Sequence, residues 1–120
     1  MKMKYMLVPL LMIGAALLPL KSKVRAQESP RRIEITAKKF SFDPSEITVK
    51  KGQPVVLVIK SADVAHGLRF RDLNLNVKID QGATAELSFT PEKTGDFVGK
   101  CSVFCGSGHS QMSLTMHVTN

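Results

Sequence analysis

The chain has no tryptophan, one tyrosine and only two cysteines in 120 residues. It also lacks a long apolar run, the best stretch being the 16 uncharged residues from Tyr5 to Leu20. As a helix these would reach about 24 Å, short of the ~30 Å hydrocarbon core, which disfavours a membrane span. The basic start at Lys2 and Lys4 and the triplet Val24-Arg25-Ala26 suit an export signal cleaved before Gln27. The expected division is a signal at 1–26, a polar linker at 27–32 and one domain at 33–120. Lys21, Lys23 and Arg25 make the cleavage region unusually basic, so an uncleaved anchor is the rival reading. No cysteine lies near residue 20, which argues against a lipid-modified start. On either reading the domain faces a periplasmic or other extracytoplasmic space. It touches a membrane only if the leader stays attached.

Acidic residues are scarce, 10 against 17 Lys and Arg, for a formal charge of +7. Five of those cations, Lys2, Lys4, Lys21, Lys23 and Arg25, belong to the leader, which has no acid. The remaining 12 against 10 leave the domain near +2. The basic balance therefore belongs to export, and no basic-aromatic motif supports a nucleic-acid partner.

Helical stripes are missing too; from Ile33 onward the apolar period is two. Ile33, Ile35 and Ala37 alternate with polar neighbours, as do Ile47 and Val49, then Leu73 to Ile79, Ala83 to Phe89, and Leu114 to Val118. Val55 to Ile59 is a continuous β-branched and leucine run, expected of a strand buried on both faces. Short strands separated by turn signals such as Lys51-Gly52 and Pro91 to Gly95 predict an all-β sandwich or barrel. Phe40, Phe42, Phe89 and Phe97 are expected in its core. His117, between Met116 and Val118, is expected at the surface.

Both cysteines fall in one twelve-residue segment, Cys101 to Met112, which reads C-S-V-F-C-G-S-G-H-S-Q-M. Thiolate, imidazole and thioether together are the soft donors that select copper over harder metals. Phe104 lies inside the segment, where it either shields the site or offers an apolar contact. A sandwich gathers loops at one end, so His66 can join the segment across 35 residues. A coordinating imidazole needs its second nitrogen held by an acceptor, and Asp63 or a nearby carbonyl would serve.

The cysteine pair admits three readings. A disulfide suits an oxidising compartment, but so small a ring would constrain the unfolded chain little. It would also leave His66, His109 and Met112 unexplained. Zinc could take two Cys and two His, leaving Met112 without a role. Copper can enter in two ways. A mononuclear blue site would use Cys105, His66, His109 and Met112 and leave Cys101 spare. A binuclear site would use both cysteines as bridges.

At these residues the sequence resembles a known family. The segment is similar to the CuA loop of cytochrome c oxidase subunit II and nitrous oxide reductase, C-x-E-x-C-x3-H-x2-M. Ser61-Ala62-Asp63-Val64-Ala65-His66 resembles the family's S-x-D-V-x-H. The phrases F-x-F-x-P at 40–44 and I-x-V-x-x-G-x-x-V at 47–55 are similar to cupredoxins. The resemblance implies a Greek-key cupredoxin sandwich and a binuclear copper centre. It implies that Cys101 and Cys105 bridge two copper ions and that His66 and His109 bind one each. Met112 and the Val103 carbonyl are then the weak ligands.

Four departures narrow the role. Val103 stands where the family usually has Glu, whose side chain in oxidases also meets a magnesium ion at the catalytic subunit; a valine has no side-chain oxygen to do so. The two membrane helices usual in subunit II are replaced by one short apolar segment. The tryptophan linked to electron transfer from cytochrome c is missing in its usual form. Gly67-Leu68 replaces the Ser and aromatic that often follow the histidine. The expectation is an exported electron carrier, not itself an enzyme, whose partner is a c-type cytochrome or a membrane oxidase. A periplasmic copper delivery or storage protein, a mononuclear carrier, and an accessory subunit II-like component of a terminal oxidase are the rivals.

Overall fold

The computed structural model of the protein describes residues 29–120 and Gly14. Apart from Gly14, the expected signal at 1–26 lies outside the described residues. Among the described residues no helix is long and apolar enough to cross a membrane.

Among the described residues nine strands form two sheets, the all-β sandwich that the alternating pattern predicts, in the Greek-key form that the resemblance implies. The first sheet holds β1 (Arg31–Lys38), β2 (Ser41–Asp43), β4 (Val55–Ser61) and β7 (Thr84–Phe89), in the order β2-β1-β4-β7. The second holds β3 (Glu46–Lys50), β5 (His66–Phe70), β6 (Leu75–Ile79), β8 (Gly95–Lys100) and β9 (Ser113–Thr119), in the order β3-β9-β8-β5-β6. β1 runs parallel to β4, and β3 parallel to β9; the other pairings are antiparallel.

The period-two pattern sets which side chains meet. Ile35, Ala37, Leu57 and Ile59 of the first sheet pack against Val49, Leu68, Phe70, Ile79, Leu114 and Met116 of the second, all at most 2% exposed. Burying a side chain of this size is worth about 1.5–3 kcal/mol. Gly99 is needed where β8 crosses this layer, because a Cβ there would lie 2.7 Å from Leu68 and 2.9 Å from the Phe70 ring.

Three details differ from the expectation. β1 starts at Arg31, so the last two residues of the expected linker pair with Val55 and Val56. The strand expected from Leu73 starts at Leu75, because Arg71–Leu73 form a 3-10 turn that ends on Asn74 in the left-handed region, φ 53°. β5 has no alternating apolar signature. Its five residues include Gly67, which packs nothing, and exposed Arg69, and it is held by β6 over its whole length.

His117 takes the expected outward position, with Met116 and Val118 buried on either side. Its Nδ1 lies 2.6 Å from Asp96 Oδ1, on the strand partner, and its Nε2 lies 3.9 Å from Glu46. The hydrogen bond to Asp96, with the charges of Asp96 and Glu46, raises its pKa above the usual 6.5. A raised folded-state pKa stabilises the fold below the unfolded value, and this contribution fades as pH rises through the folded value. Asp96→Asn should therefore lower the His117 midpoint in an NMR titration and flatten the pH dependence of melting on the alkaline side of 6.5. An unmoved midpoint would show that Asp96 does not set it.

Candidate metal centre

The segment from Cys101 to Met112 is the connection between β8 and β9. The register of these strands ends at Lys100 with Ser113, and the Cys101 N–H then donates to the Met112 carbonyl at 3.1 Å. The neck of the loop is thus a continuation of the sheet. Gly106 turns the chain at φ 136°, a value that favours glycine. The His109 N–H donates back to the Gly106 carbonyl at 3.2 Å, and a 3-10 turn over His109–Gln111 leads the chain to Met112.

His66 approaches from the other side as the first residue of β5 and is fully buried. A Cβ on Gly67 would fall 2.1 Å from Ser102 Oγ, so the missing side chain lets β5 lie directly against the loop. The Gly67 carbonyl accepts the Ser102 N–H at 3.4 Å, and Ser102 Oγ donates to Asn76 on β6 at 2.9 Å.

The donor atoms converge. Cys101 Sγ and Cys105 Sγ are 3.7 Å apart, both buried and unbonded. A disulfide would need about 2.04 Å. His66 Nδ1 lies 3.9 Å from Cys101 Sγ, and His109 Nδ1 lies 3.7 Å from Cys105 Sγ. The Val103 carbonyl oxygen is 3.2 Å from Cys101 Sγ, and Met112 Sδ is 3.9 Å from Cys105 Sγ. His66, Cys101 and Cys105 offer ligand atoms all within 4.8 Å of one another. All six candidate residues meet at one end of the sandwich.

This set fits a metal. Ligands about 2.0–2.3 Å from one tetrahedral ion sit roughly 3.3–3.8 Å apart, close to the sulfur and nitrogen spacings here. The chemistry is soft, with two thiols, two imidazoles and a thioether. Burial pushes the Cys105 thiol up to about 11, and its hydrogen bond to Cys101 and the charges of Cys101 and Asp63 push the same way. A bare thiolate pair here would lack compensation; a cation supplies it and displaces the protons.

Asp63 orients the buried histidine. Its Oδ1 lies 2.6 Å from His66 Nε2, so the ring turns Nδ1 toward the thiols. The same carboxylate accepts the Lys39 N–H at 2.8 Å and the Val64 N–H at 2.7 Å. Burial raises its pKa, but these three hydrogen bonds and the His66 charge outweigh that and bring it to about 2. Asp63 thus stays an anionic acceptor at neutral pH.

Phe40 is the residue that alternation places wrongly. Expected in the core, it is 37% exposed and lies on the metal loop. A Cβ on Gly108 would come within 2.5 Å of its ring, and one on Gly106 within 2.9 Å. The aromatic fits only because both loop positions are glycines. Its signal in the sequence was the pairing of an exposed β1–β2 connection with a doubly glycine-bearing loop, which only the fold brings together. Phe104 is 79% exposed, its ring centroid 5.7 Å from that of His109. It offers an apolar surface beside the histidine and does not shield the sulfurs.

A Greek-key sandwich with soft donors gathered in its β8–β9 loop defines a copper-binding class of domain. The cupredoxin-like domain model matches residues 9–115, and the chain belongs to that family. It is 29% identical over 100 residues to cytochrome c oxidase subunit 2 of Thermus thermophilus, across 83% of this chain and 74% of that one. It spans 60% of the subunit 2 from a second strain of that organism. The periplasmic domain of subunit II of cytochrome oxidase from Bradyrhizobium japonicum shares the fold, with a TM-score of 0.68 and 22% identity over 75% of this chain and 84% of that one. So does auracyanin A, a "blue" copper protein of Chloroflexus aurantiacus, with a TM-score of 0.63 and 21% identity over 76% of this chain and all of that one. The chain is a subunit II-like cupredoxin domain, and its fold is shared with a blue copper protein.

If Phe40 holds the loop, Phe40→Ala should raise amide hydrogen exchange at residues 106–109 by about tenfold or more while the sheet amides stay protected. Unchanged exchange there would show that the ring is a bystander.

Proposed function

We propose that His66, Cys101, Val103, Cys105, His109 and Met112 hold a binuclear copper centre, and that the protein carries or relays electrons. The observation that carries this reading is the pair of buried, unbonded thiols 3.7 Å apart, each with an imidazole Nδ1 within 3.9 Å. A mononuclear site would leave Cys101 spare, yet its sulfur lies against His66 and the Val103 carbonyl.

Bound, such a centre would supply a one-electron store shared between two metals. The chain's own residues do the rest. Asp63 fixes the His66 ring, fully buried Met112 covers the Cys105 sulfur, and the Cys101–Met112 hydrogen bond fixes the loop neck. A preformed, buried site favours electron exchange over metal release, which weighs against copper delivery or storage. Val103 weighs against an ordinary place beside an oxidase catalytic subunit, since its side chain offers no ligand. The partners on this reading are a c-type cytochrome or a membrane oxidase, in an extracytoplasmic space, and the protein is a carrier without a reaction of its own.

Metal analysis with EPR tests this directly. Two coppers per chain and a signal split by both nuclei are expected; one copper with a blue spectrum would move the site to the mononuclear reading, and retained zinc would reject both. Cys101→Ser should abolish the two-copper signal, whereas an unchanged spectrum would make Cys101 a bystander. Asp63→Asn should lower copper affinity by about 10–100-fold in a chelator competition, the usual cost of losing a partner that orients a metal-binding histidine. Unaltered affinity would mean that packing alone holds His66.

A further inference from the structure

The domain's small net charge conceals a concentrated cationic surface at one wall of the metal centre. A shallow hollow of about 510 Å³ is lined by Arg69, Arg71, Val98, Lys100, Cys101 and Ser102. Arg69 and Lys100 stand directly opposite one another, and theirs is the register pair that joins β5 to β8. Like charges in that position destabilise a sheet. Among the described residues none of the three cations has a carboxylate within 4.0 Å. Two carboxylates of the same sheet are engaged elsewhere: Asp96 holds His117, and Asp80 pairs with Lys78. In the middle sits Val98, 51% exposed on the solvent face of β8.

We propose that this hollow is the docking surface for an acidic redox protein. The proposal rests on the electron-carrier reading of the metal centre and adds the partner's chemistry and the place where it binds. An apolar centre ringed by arginine and lysine is how protein interfaces are built, with arginine enriched among their anchors. The cations draw in an anionic surface and fix its orientation. Val98 gives that surface an apolar contact once water leaves. Cys101 lines the same hollow, so a partner seated there lies beside a residue of the donor cluster. A free inorganic anion would have no use for the exposed valine. A lipid surface would meet three cations and, among the described residues, no amphipathic helix, one signal where stable membrane attachment takes two.

The step at this surface is transfer of one electron: a reduced haem iron becomes ferric, the copper centre gains that electron, and no bond or proton moves. The test uses the full, copper-loaded chain in stopped-flow mixing with a reduced basic c-type cytochrome and with the same cytochrome succinylated to make its surface acidic. The succinylated form should react faster at low ionic strength, and its rate should fall as salt rises from about 10 to about 200 mM. Replacing both arginines, Arg69→Glu with Arg71→Glu, should slow that reaction by about tenfold or more. The milder pair Arg69→Gln with Arg71→Gln should give a smaller loss, and thermal melts identify any variant slowed by misfolding. A faster reaction with the basic form, or rates indifferent to both replacements, would overturn the proposal. So would charge-reversal that releases the protein from phosphatidylglycerol vesicles while leaving the succinylated cytochrome rate unmoved, since the surface would then belong to a membrane. Copper content and EPR on the same samples separate the two claims. One copper per chain with the charge dependence intact removes the binuclear centre and keeps the docking surface; two coppers without charge dependence do the reverse.

Discussion

The carboxylate of Asp63 ties together parts of the chain that lie far apart in sequence. It accepts the Lys39 N–H from the β1–β2 connection, the Val64 N–H from its own turn, and the Nε2 side of His66. The next residue after Lys39 is Phe40, whose ring lies on Gly106 and Gly108 between the second cysteine and the second histidine. One short connection in the first sheet therefore steadies a histidine and a loop that both belong to the second. Without that carboxylate the buried His66 ring would keep its packing but lose its reason to face the thiols. Its Nε2 would also become a buried polar atom without a partner, a state that costs free energy.

The donor sulfurs are an extension of the hydrophobic core. Cys101, Cys105 and Met112 belong to the same buried cluster as Leu68, Phe70 and Leu114. Without metal, neutral thiols suit that setting, which is why burial pushes the Cys105 thiol up to about 11. With metal, the thiolates gain a cation that burial would otherwise deny them. A domain of this size has one core and a modest margin of stability, so a tightly held metal adds to it by mass action. The same burial keeps water out, so the donors meet similar surroundings before and after an electron arrives. Stability and electron exchange thus draw on one arrangement.

The sequence made the β-sandwich legible wherever alternation reported burial: Ile35 and Ala37, Ile47 and Val49, and Leu114, Met116 and Val118 all face inward. It also marked the candidate residues that the fold brings together, because a loop between adjacent strands keeps its side chains at fixed short spacings. Even His66 and its acceptor Asp63 could be read, since both lie in one turn. Three features could not. β5 has a glycine and an arginine in five residues and is a strand only because β6 pairs with it. The register breaks at Asn74, whose left-handed backbone leaves no periodic trace. Phe40 looks like its neighbour Phe42, which is 2% exposed in the core; the glycines that make room for Phe40 on the loop are more than sixty residues away. Local pattern reports which face a side chain occupies. It does not report what a distant loop lays against that face.

Charge shows the same limit in another form. A count over the chain assigns the positive excess to the leader and leaves the domain almost neutral. The sheet then sorts that near-neutral set by position. On β8, Asp96 falls opposite His117 and is neutralised there, while two residues of the same parity further on, Val98 and Lys100 face the arginine side. Strand alternation puts all three on the solvent face, and pairing decides which has an opposite charge nearby. The end left with unpaired cations is the end that borders Cys101. Composition cannot carry that information, because the field a partner meets is set by where charges stand. On the docking proposal, steering is therefore set at the β5–β8 pairing of Arg69 with Lys100, on the same strand whose Gly67 lies against Ser102 and brings His66 to the loop.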